Sequence, residues 1–301
     1  MIKIIPREQI KHLEWAHGQA PLDPSHVVPN IPLFQNNSIV NIDDILNGKT
    51  FFSEEKDENG KYIGLPIALS QVLEYATSDG YVATMPELIV AKIKADKSHD
   101  FWQKWYSVHT EENIGIDKKG KFYSKDEPVL VVVNGGGILT PDRINQAYTE
   151  GLIGNSAKYT DKEFDDLLDG KLPDNTSIQL YRFEEIKKGI TSLPHRFGVV
   201  MPYSMAKGTS SGYHKKDGFT TNPLVIARAG GIENLESYYN LAKHSDGDLG
   251  NYHPFSGRDA STPQGRLLYL DDSYDGLSGY DSLINNGRFV GVAPEAHRAK
   301  K

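Results

Sequence analysis

The sequence predicts an α/β or α+β protein: a mixed β-sheet flanked by helices, with a mostly helical N-terminal portion. Three observations predict this class. Helical periodicity is concentrated before residue 112, strand-like runs follow residue 113, and only three or four helical segments separate those runs. Because helices and strands do not alternate regularly, neither a barrel nor a doubly wound sheet is expected. We therefore expect a mostly helical portion at 1–112 that packs on a sheet-containing portion at 113–301. The alternative is that both portions belong to one single domain.

Four segments of the N-terminal portion have helical patterns. The first spans residues 6–16 and begins with proline, which suits a first helical turn. Apolar spacing predicts two more helices at 65–76 and 85–97, the latter with Pro86 near its start. Residues 99–109 are rich in aromatic side chains with the spacing of one broad helix face, which indicates core packing.

The sheet-containing portion begins with a polar, turn-rich stretch at 115–128 that favours a link between two lobes. The next run, 129–133, is apolar throughout, as expected for a strand buried on both faces. Glycines at 135–137 end that strand. Two helices follow at 141–151 and 161–170, each preceded by a threonine suited to the N-cap position.

The rest of the chain combines strands with one helix. Apolar and aromatic runs predict five strands, at residues 177–183, 196–203, 223–229, 266–272 and 288–294. Residues 232–244 have helical spacing. The segments 128–138 and 223–232 resemble each other, since both begin with proline, continue through an apolar run and end in glycines and isoleucine. We expect both to be buried strands of one sheet whose glycine ends share a cleft.

Composition narrows the function classes. The chain has no cysteine, which excludes disulfides, thiolate nucleophiles and cysteine-ligated metal centres. Its net charge of −7 makes a nucleic-acid partner unlikely by composition. The N-terminus does not resemble a signal peptide and no apolar run is long enough for a membrane span, so we expect a soluble, cytoplasmic protein without a membrane partner. Cofactor and oligomeric state are left unknown.

Two glycine turns are candidate binding elements. Gly135, Gly136 and Gly137 lie between a strand and a capped helix, where free N–H groups and the helix dipole favour an anion. The alternative is a turn that uses glycine only for its positive φ. Arg228 precedes the second turn, and a buried arginine needs a partner: either an anionic ligand or an acidic side chain of the protein.

The loops between residues 195 and 259 hold the densest group of polar side chains. We take His214, His253, Asp246 and His195 as candidate catalytic acid–base groups, with Arg228 and Arg258 holding an anion. We expect the groups of these loops to converge near a glycine turn. His244, Asp246, Asp248 and His253 also offer four possible metal ligands, but their spacing matches no established metal motif, so no metal site is assigned.

Two functional hypotheses remain open. The first is an enzyme that acts on a small anionic or polar substrate at the glycine-rich strand ends. The second is a non-catalytic binding or structural protein of a larger assembly. The second hypothesis predicts an exposed apolar or tyrosine-rich patch on the C-terminal half, and a small-molecule ligand is compatible with both.

Overall fold

The computed structural model describes residues 40–190, 193–242, 248–253, 255, 258–271, 275–280 and 283–294. The helix expected at 6–16 lies outside these residues. Within them the chain forms mixed β-sheets with helices packed against them, which confirms the predicted α+β alternative of the fold class.

The described residues contain eleven helices: α1 Ile42–Leu46, α2 Gly64–Ala76, α3 Met85–Lys94, α4 Asp100–Gln103, α5 Pro141–Glu150, α6 Asp161–Leu168, α7 Phe183–Lys187, α8 Tyr203–Lys207, α9 Lys216–Thr220, α10 Pro223–Ala229 and α11 Leu235–Leu241. They also contain twelve strands: β1 Lys49–Ser53, β2 Tyr81–Val82, β3 Tyr106–Asp117, β4 Glu127–Asn134, β5 Ala157–Lys158, β6 Gln179–Arg182, β7 Phe197–Pro202, β8 Gly212–His214, β9 Leu249–Tyr252, β10 Gln264–Leu270, β11 Leu277–Ser278 and β12 Gly287–Val292.

The strands form two sheets. A small antiparallel sheet has the order β1-β12-β2. The large sheet has the order β6-β7-β4-β3-β10-β11-β9-β8, and β5 pairs with β10 beside it. The pairs β6–β7 and β11–β9 are parallel and the other pairs are antiparallel, so the sheet is mixed.

Strand β4 lies in the middle of the hydrophobic core. Val129, Val131 and Val133 belong to one buried cluster, whereas Leu130 and Val132 belong to another. Successive side chains of a strand point to opposite faces, so a strand covered on both faces needs apolar residues at every position. The predicted doubly buried strand at 129–133 is confirmed.

The two helices predicted with threonine caps are confirmed. Thr160 and Glu163 form a capping box at the start of α6, and Thr84 with Glu87, a box that was not predicted, does the same for α3. The Thr140 hydroxyl accepts a hydrogen bond from the Arg143 N–H at 3.2 Å at the start of α5. These signals act within one helical turn, so they are readable without knowledge of the tertiary structure.

The helix expected at 99–109 and the link expected at 115–128 are wrong. Helix α4 ends at Gln103, and β3 begins at Tyr106 and continues to Asp117. Residues 118–126 then lead into β4, so the two strands form a hairpin and not a connection between lobes. The boundary proposed between residues 112 and 113 falls inside β3, which pairs with β4 on one side and β10 on the other.

The strand expected at 223–229 is also wrong, because these residues form helix α10. The Asn222 side chain accepts hydrogen bonds from Leu224 N–H and Val225 N–H, and Pro223 occupies the first turn. A short apolar run fits a buried strand or a buried helix equally well, and here the cap and proline decide. The segments at 128–138 and 223–232 are therefore a strand and a helix, not two strands of one sheet.

Candidate functional site

The glycine turn at 135–137 binds a carboxylate of the protein itself. The Glu111 carboxylate accepts hydrogen bonds from Ile138 N–H at 3.1 Å and Leu139 N–H at 3.2 Å. A Cβ on Gly137 would lie 2.5 Å from Glu111 Oε1. The close approach of this buried side chain therefore explains the glycine, and the N–H groups expected to bind an external anion already have an anionic partner.

Gly135 and Gly136 make room for other parts of the same turn. Both adopt positive φ, at 79° and 93°, which favours glycine. A Cβ on Gly136 would lie 2.6 Å from the His109 ring, and one on Gly135 would lie 2.9 Å from the His195 carbonyl oxygen. Backbone conformation and close packing thus account for these two glycines.

Burial shifts the pKa values of two side chains near this turn, Glu111 and His109. It raises the pKa of Glu111 to about 7, although hydrogen bonds from the backbone and from Asn113 oppose the shift. Burial, together with the charges of His195 and Arg196, lowers the pKa of His109 to about 3. His109 is therefore neutral at neutral pH, and Glu111 is partly protonated.

Arg228, one of the predicted anion-binding residues, belongs to a buried ion cluster. Its Nε lies 2.7 Å from Glu112 Oε1, while Arg266 Nη2 lies 2.7 Å from Glu112 Oε2. Arg228 also donates hydrogen bonds to the Asn251 side chain and to the carbonyl oxygen of Leu277. Of the two partners considered for Arg228, an anionic ligand or an acidic side chain, the structure shows the acidic side chain of Glu112.

Electrostatics keeps this cluster ionised. Burial opposes ionisation of Glu112, but the charges of Arg228 and Arg266 outweigh it and lower the pKa of Glu112 to about 2. Each arginine makes a charge-assisted hydrogen bond to the carboxylate, and these bonds compensate part of the cost of burying the charges.

His253 and Arg258 lie near the same ion cluster. The His253 Nε2 atom lies 2.9 Å from Thr209 Oγ1, and burial, with the charge of Arg228, lowers the pKa of His253 to about 4. Arg258 donates a hydrogen bond to the Gly154 carbonyl oxygen at 2.5 Å. Burial, with the charge of Arg266, lowers the pKa of Arg258 to about 9.

The other predicted catalytic residues lie elsewhere. His195 Nδ1 is 2.6 Å from Glu87 Oε1, at the start of α3, and its backbone borders the glycine turn. His214 is half-buried on β8, where its carbonyl oxygen accepts a hydrogen bond from the Tyr239 hydroxyl. Asp246 lies outside the described residues. Catalytic roles for these side chains stay untested predictions.

The large sheet separates the glycine turn at 135–137 from Arg228, although the glycine ends of both segments were expected to share a cleft. Glu111 and Glu112 are neighbours on β3, so their side chains point to opposite faces. The glycine turn lies on the Glu111 side, whereas Arg228 contacts Glu112 on the other side. Among the described residues, no group of three histidine, aspartate or glutamate side chains is arranged to hold a metal ion.

One buried ion pair was not predicted from the sequence. Lys92 of α3 pairs with Asp275, and both side chains are buried. The Lys92 ammonium also lies 4.7 Å from the Trp102 ring centroid. Because Lys92 follows Leu88 and Ile89 by four and three residues, helical spacing alone places it on the apolar face of the helix. A lysine on an apolar helix face was therefore the sequence feature that could have indicated a buried ion pair.

An exposed group of tyrosines marks the edge of the large sheet. Tyr213 on β8 is 43% exposed and Tyr280, just after β11, is 51% exposed. The ring of Tyr252 on β9 meets that of Tyr213 edge to face, with centroids 5.7 Å apart. We call Tyr213, Tyr252 and Tyr280 the tyrosine edge.

A separate cleft of about 340 Å³ lies among the short helices of the C-terminal half. It is lined by Lys187, Thr220, Thr221, Ile226, Ile232 and Glu236. Its lining includes none of the predicted site residues.

No helix in the described part of the chain is long and apolar enough to cross a membrane.

Comparisons with known proteins support the fold. No protein-family model matches the chain, and no curated protein matches it. A solved structure described as "Accommodation of massive sequence variation in Nanoarchaeota by the C-type lectin fold" is similar, with a TM-score of 0.59 and 25% sequence identity. The match covers 81% of this chain and 97% of that chain. The chain is thus similar in fold to a protein with the C-type lectin fold.

Proposed function

We propose that this protein is a non-catalytic binding protein and that its recognition surface is the tyrosine edge. The observation that carries the proposal is the exposure of Tyr213 on edge strand β8 and of Tyr280 just after β11, at the same end of the large sheet. Exposed apolar groups that lie together often mark interaction sites. Tyrosine supplies a large apolar contact area and a polar hydroxyl at a low cost in conformational entropy, and it is enriched at binding surfaces for this reason.

The interior contacts of β9 and β11, which precede edge strand β8 in the order β11-β9-β8, support this role. Arg228 donates hydrogen bonds to the carbonyl oxygens of Tyr252 and Leu277, which belong to β9 and β11. Through Glu112 the same guanidinium is tied to central strand β3. A surface on strands held in this way loses little entropy on binding, which favours affinity.

The similar structure supports the proposal at the level of the scaffold. Its description states that the C-type lectin fold accommodates massive sequence variation in Nanoarchaeota. A scaffold that tolerates changes of surface residues suits recognition, because affinity can then change without loss of the fold. For this chain, the nature of the ligand is left to experiment.

The enzyme hypothesis, with a small anionic or polar substrate at the glycine-rich turn, receives no support from the geometry. It requires free N–H groups at that turn, and Glu111 accepts the hydrogen bonds of Ile138 and Leu139 there. It also requires acid–base groups that reach a common substrate, whereas His195 and His253 lie in different surroundings.

The test begins with selection of ligands for the intact protein from a displayed peptide library and a glycan array. Affinities are then measured for the wild-type protein and for the double variant Tyr213→Ala, Tyr280→Ala. Because an interface aromatic that is a hot spot contributes about 2 kcal/mol, each lost ring should weaken binding about 30-fold.

Ile232→Ala is the matched control, since Ile232 is 44% exposed and borders the separate cleft. It should leave affinity unchanged. Selected ligands that bind the tyrosine double variant as tightly as the wild type would refute the tyrosine edge as the recognition surface.

A further inference from the structure

Three buried arginines, Arg228, Arg258 and Arg266, lie near a single buried carboxylate, that of Glu112. Arg228 and Arg266 both contact Glu112, whereas among the described residues the acceptor of the Arg258 guanidinium is the Gly154 carbonyl oxygen. The side chain of Arg266 is fully buried and Arg258 is 8% exposed. Because buried charges in proteins are normally paired, this cluster carries an excess of positive charge that calls for an anion.

Two buried polar atoms of this region have no partner among the described residues. One is Arg266 Nη1, a charged donor, and the other is Ser156 Oγ. Ser156 directly precedes Ala157, which pairs with Gly265 in the antiparallel β5–β10 pair. Extending this antiparallel register by one residue places Ser156 opposite Arg266, and residues directly opposite each other on neighbouring strands have their side chains on the same face.

Arg258 reaches the same place from another side. Its hydrogen bond to Gly154 ties it to the tight turn in which Ile153 and Ser156 exchange backbone hydrogen bonds at 2.9 Å. The Phe255 ring lies 5.2 Å from the Arg266 guanidinium, and the backbone N–H of Arg258 donates to the Phe255 carbonyl oxygen. The charge of Arg266 acts on Arg258, so the two guanidinium groups are near each other, and the space between them and Ser156 is the candidate site.

We propose that this space binds a small tetrahedral oxyanion of the phosphate or sulfate class. Arg266 Nη1 and the Arg258 guanidinium donate to its oxygens, and the Ser156 hydroxyl supplies a third donor. Guanidinium groups match the geometry of such oxygens and bind them through short, charge-assisted hydrogen bonds. Water would satisfy the donors but would leave the excess charge in place. The site lies inside the fold and is independent of the proposed role of the tyrosine edge.

The pKa of Arg258 agrees with this assignment. Burial, with the charge of Arg266, lowers the pKa of Arg258 to about 9, which means that its cation is poorly compensated. An anion between the two arginines would remove that destabilisation.

The test uses the full chain and inorganic phosphate as the probe. Thermal melting and isothermal titration compare phosphate with chloride at the same ionic strength. We expect saturable binding of one ion and an increase in Tm of about 2 °C at ten times the Kd. An absence of saturable binding, with equal melting curves in phosphate and chloride, would overturn the proposal.

Arg258→Gln should abolish the phosphate effect. Arg196→Gln is the matched control, because Arg196 is 7% exposed but has a carboxylate partner in Asp174 at 3.1 Å. It should bind phosphate like the wild type. If Arg258→Gln does not fold, Ser156→Ala decides instead, with an expected loss of affinity of about tenfold. Equal phosphate affinity in the wild type and in a folded Arg258→Gln or Ser156→Ala variant would refute the assigned site.

Discussion

Replacing Glu112 by glutamine tests the ion cluster that joins β3, β10 and α10. The substitution keeps the shape of the side chain but removes the carboxylate that Arg228 and Arg266 share. The two arginines lower the pKa of Glu112 from 4.5 to about 2, which corresponds to about 3 kcal/mol of stabilisation. Losing one partner of a buried ion pair typically costs about 3–5 kcal/mol, so both routes give a similar magnitude.

Thermal and urea denaturation of Glu112→Gln should show this loss. With about 2.1 cal/mol/K of unfolding entropy per residue, a change of 3 kcal/mol lowers the Tm of the 301-residue chain by about 5 °C. Glu74→Gln is the control, because Glu74 is exposed on α2. If Glu112→Gln costs less than about 1 kcal/mol, the reasoning that this cluster anchors the sheet is refuted.

The same carboxylate predicts a pH dependence. The pKa of Glu112 is lower in the folded state than in the unfolded state, so its contribution to stability is complete above pH 4.5. The contribution is lost as the pH falls from 4.5 to about 2. Subtracting the Glu112→Gln curve from the wild-type curve should isolate this loss, and parallel curves between these pH values would contradict the assigned ionisation.

Three further perturbations probe other buried contacts. Gly137→Ala should lower the free energy of unfolding by about 2 kcal/mol, because the new Cβ would collide with the pinned Glu111 carboxylate, whereas Gly208→Ala should change it little; urea denaturation of both compares them. Glu111→Gln should flatten the decrease in stability that the wild type shows as the pH rises from 4.5 to about 7, since burial raises the pKa of this acid in the folded state; melting curves at several pH values test this. Lys92→Met should cost about 3–5 kcal/mol by removing the cation that the buried Asp275 carboxylate pairs with, and adding Asp275→Asn should recover part of the loss in a double-mutant cycle.

The parts of the fold that the sequence predicted are those decided locally. Thr140 and Thr160 start helices whose caps lie within three residues, and the apolar run of β4 indicates a strand buried on both faces. One part that failed also carried a local signal, which was missed. Residues 223–229 have the composition of a buried strand, and only the cap at Asn222, followed by proline, indicates a helix.

The candidate site was harder to predict because its decisive residues are paired over long distances in sequence. The sequence shows that Arg228 needs a partner, but Glu112 lies 116 residues earlier, just beyond the helix expected at 99–109. No strand was expected over Glu111 and Glu112. In strand β3 they point to opposite faces, so one carboxylate binds the N–H groups of the glycine turn and the other binds two arginines. The glycine turn thus binds Glu111 in place of an external anion, and Arg228 pairs with the adjacent residue, Glu112. Both contacts were missed because strand β3 was not predicted from the sequence.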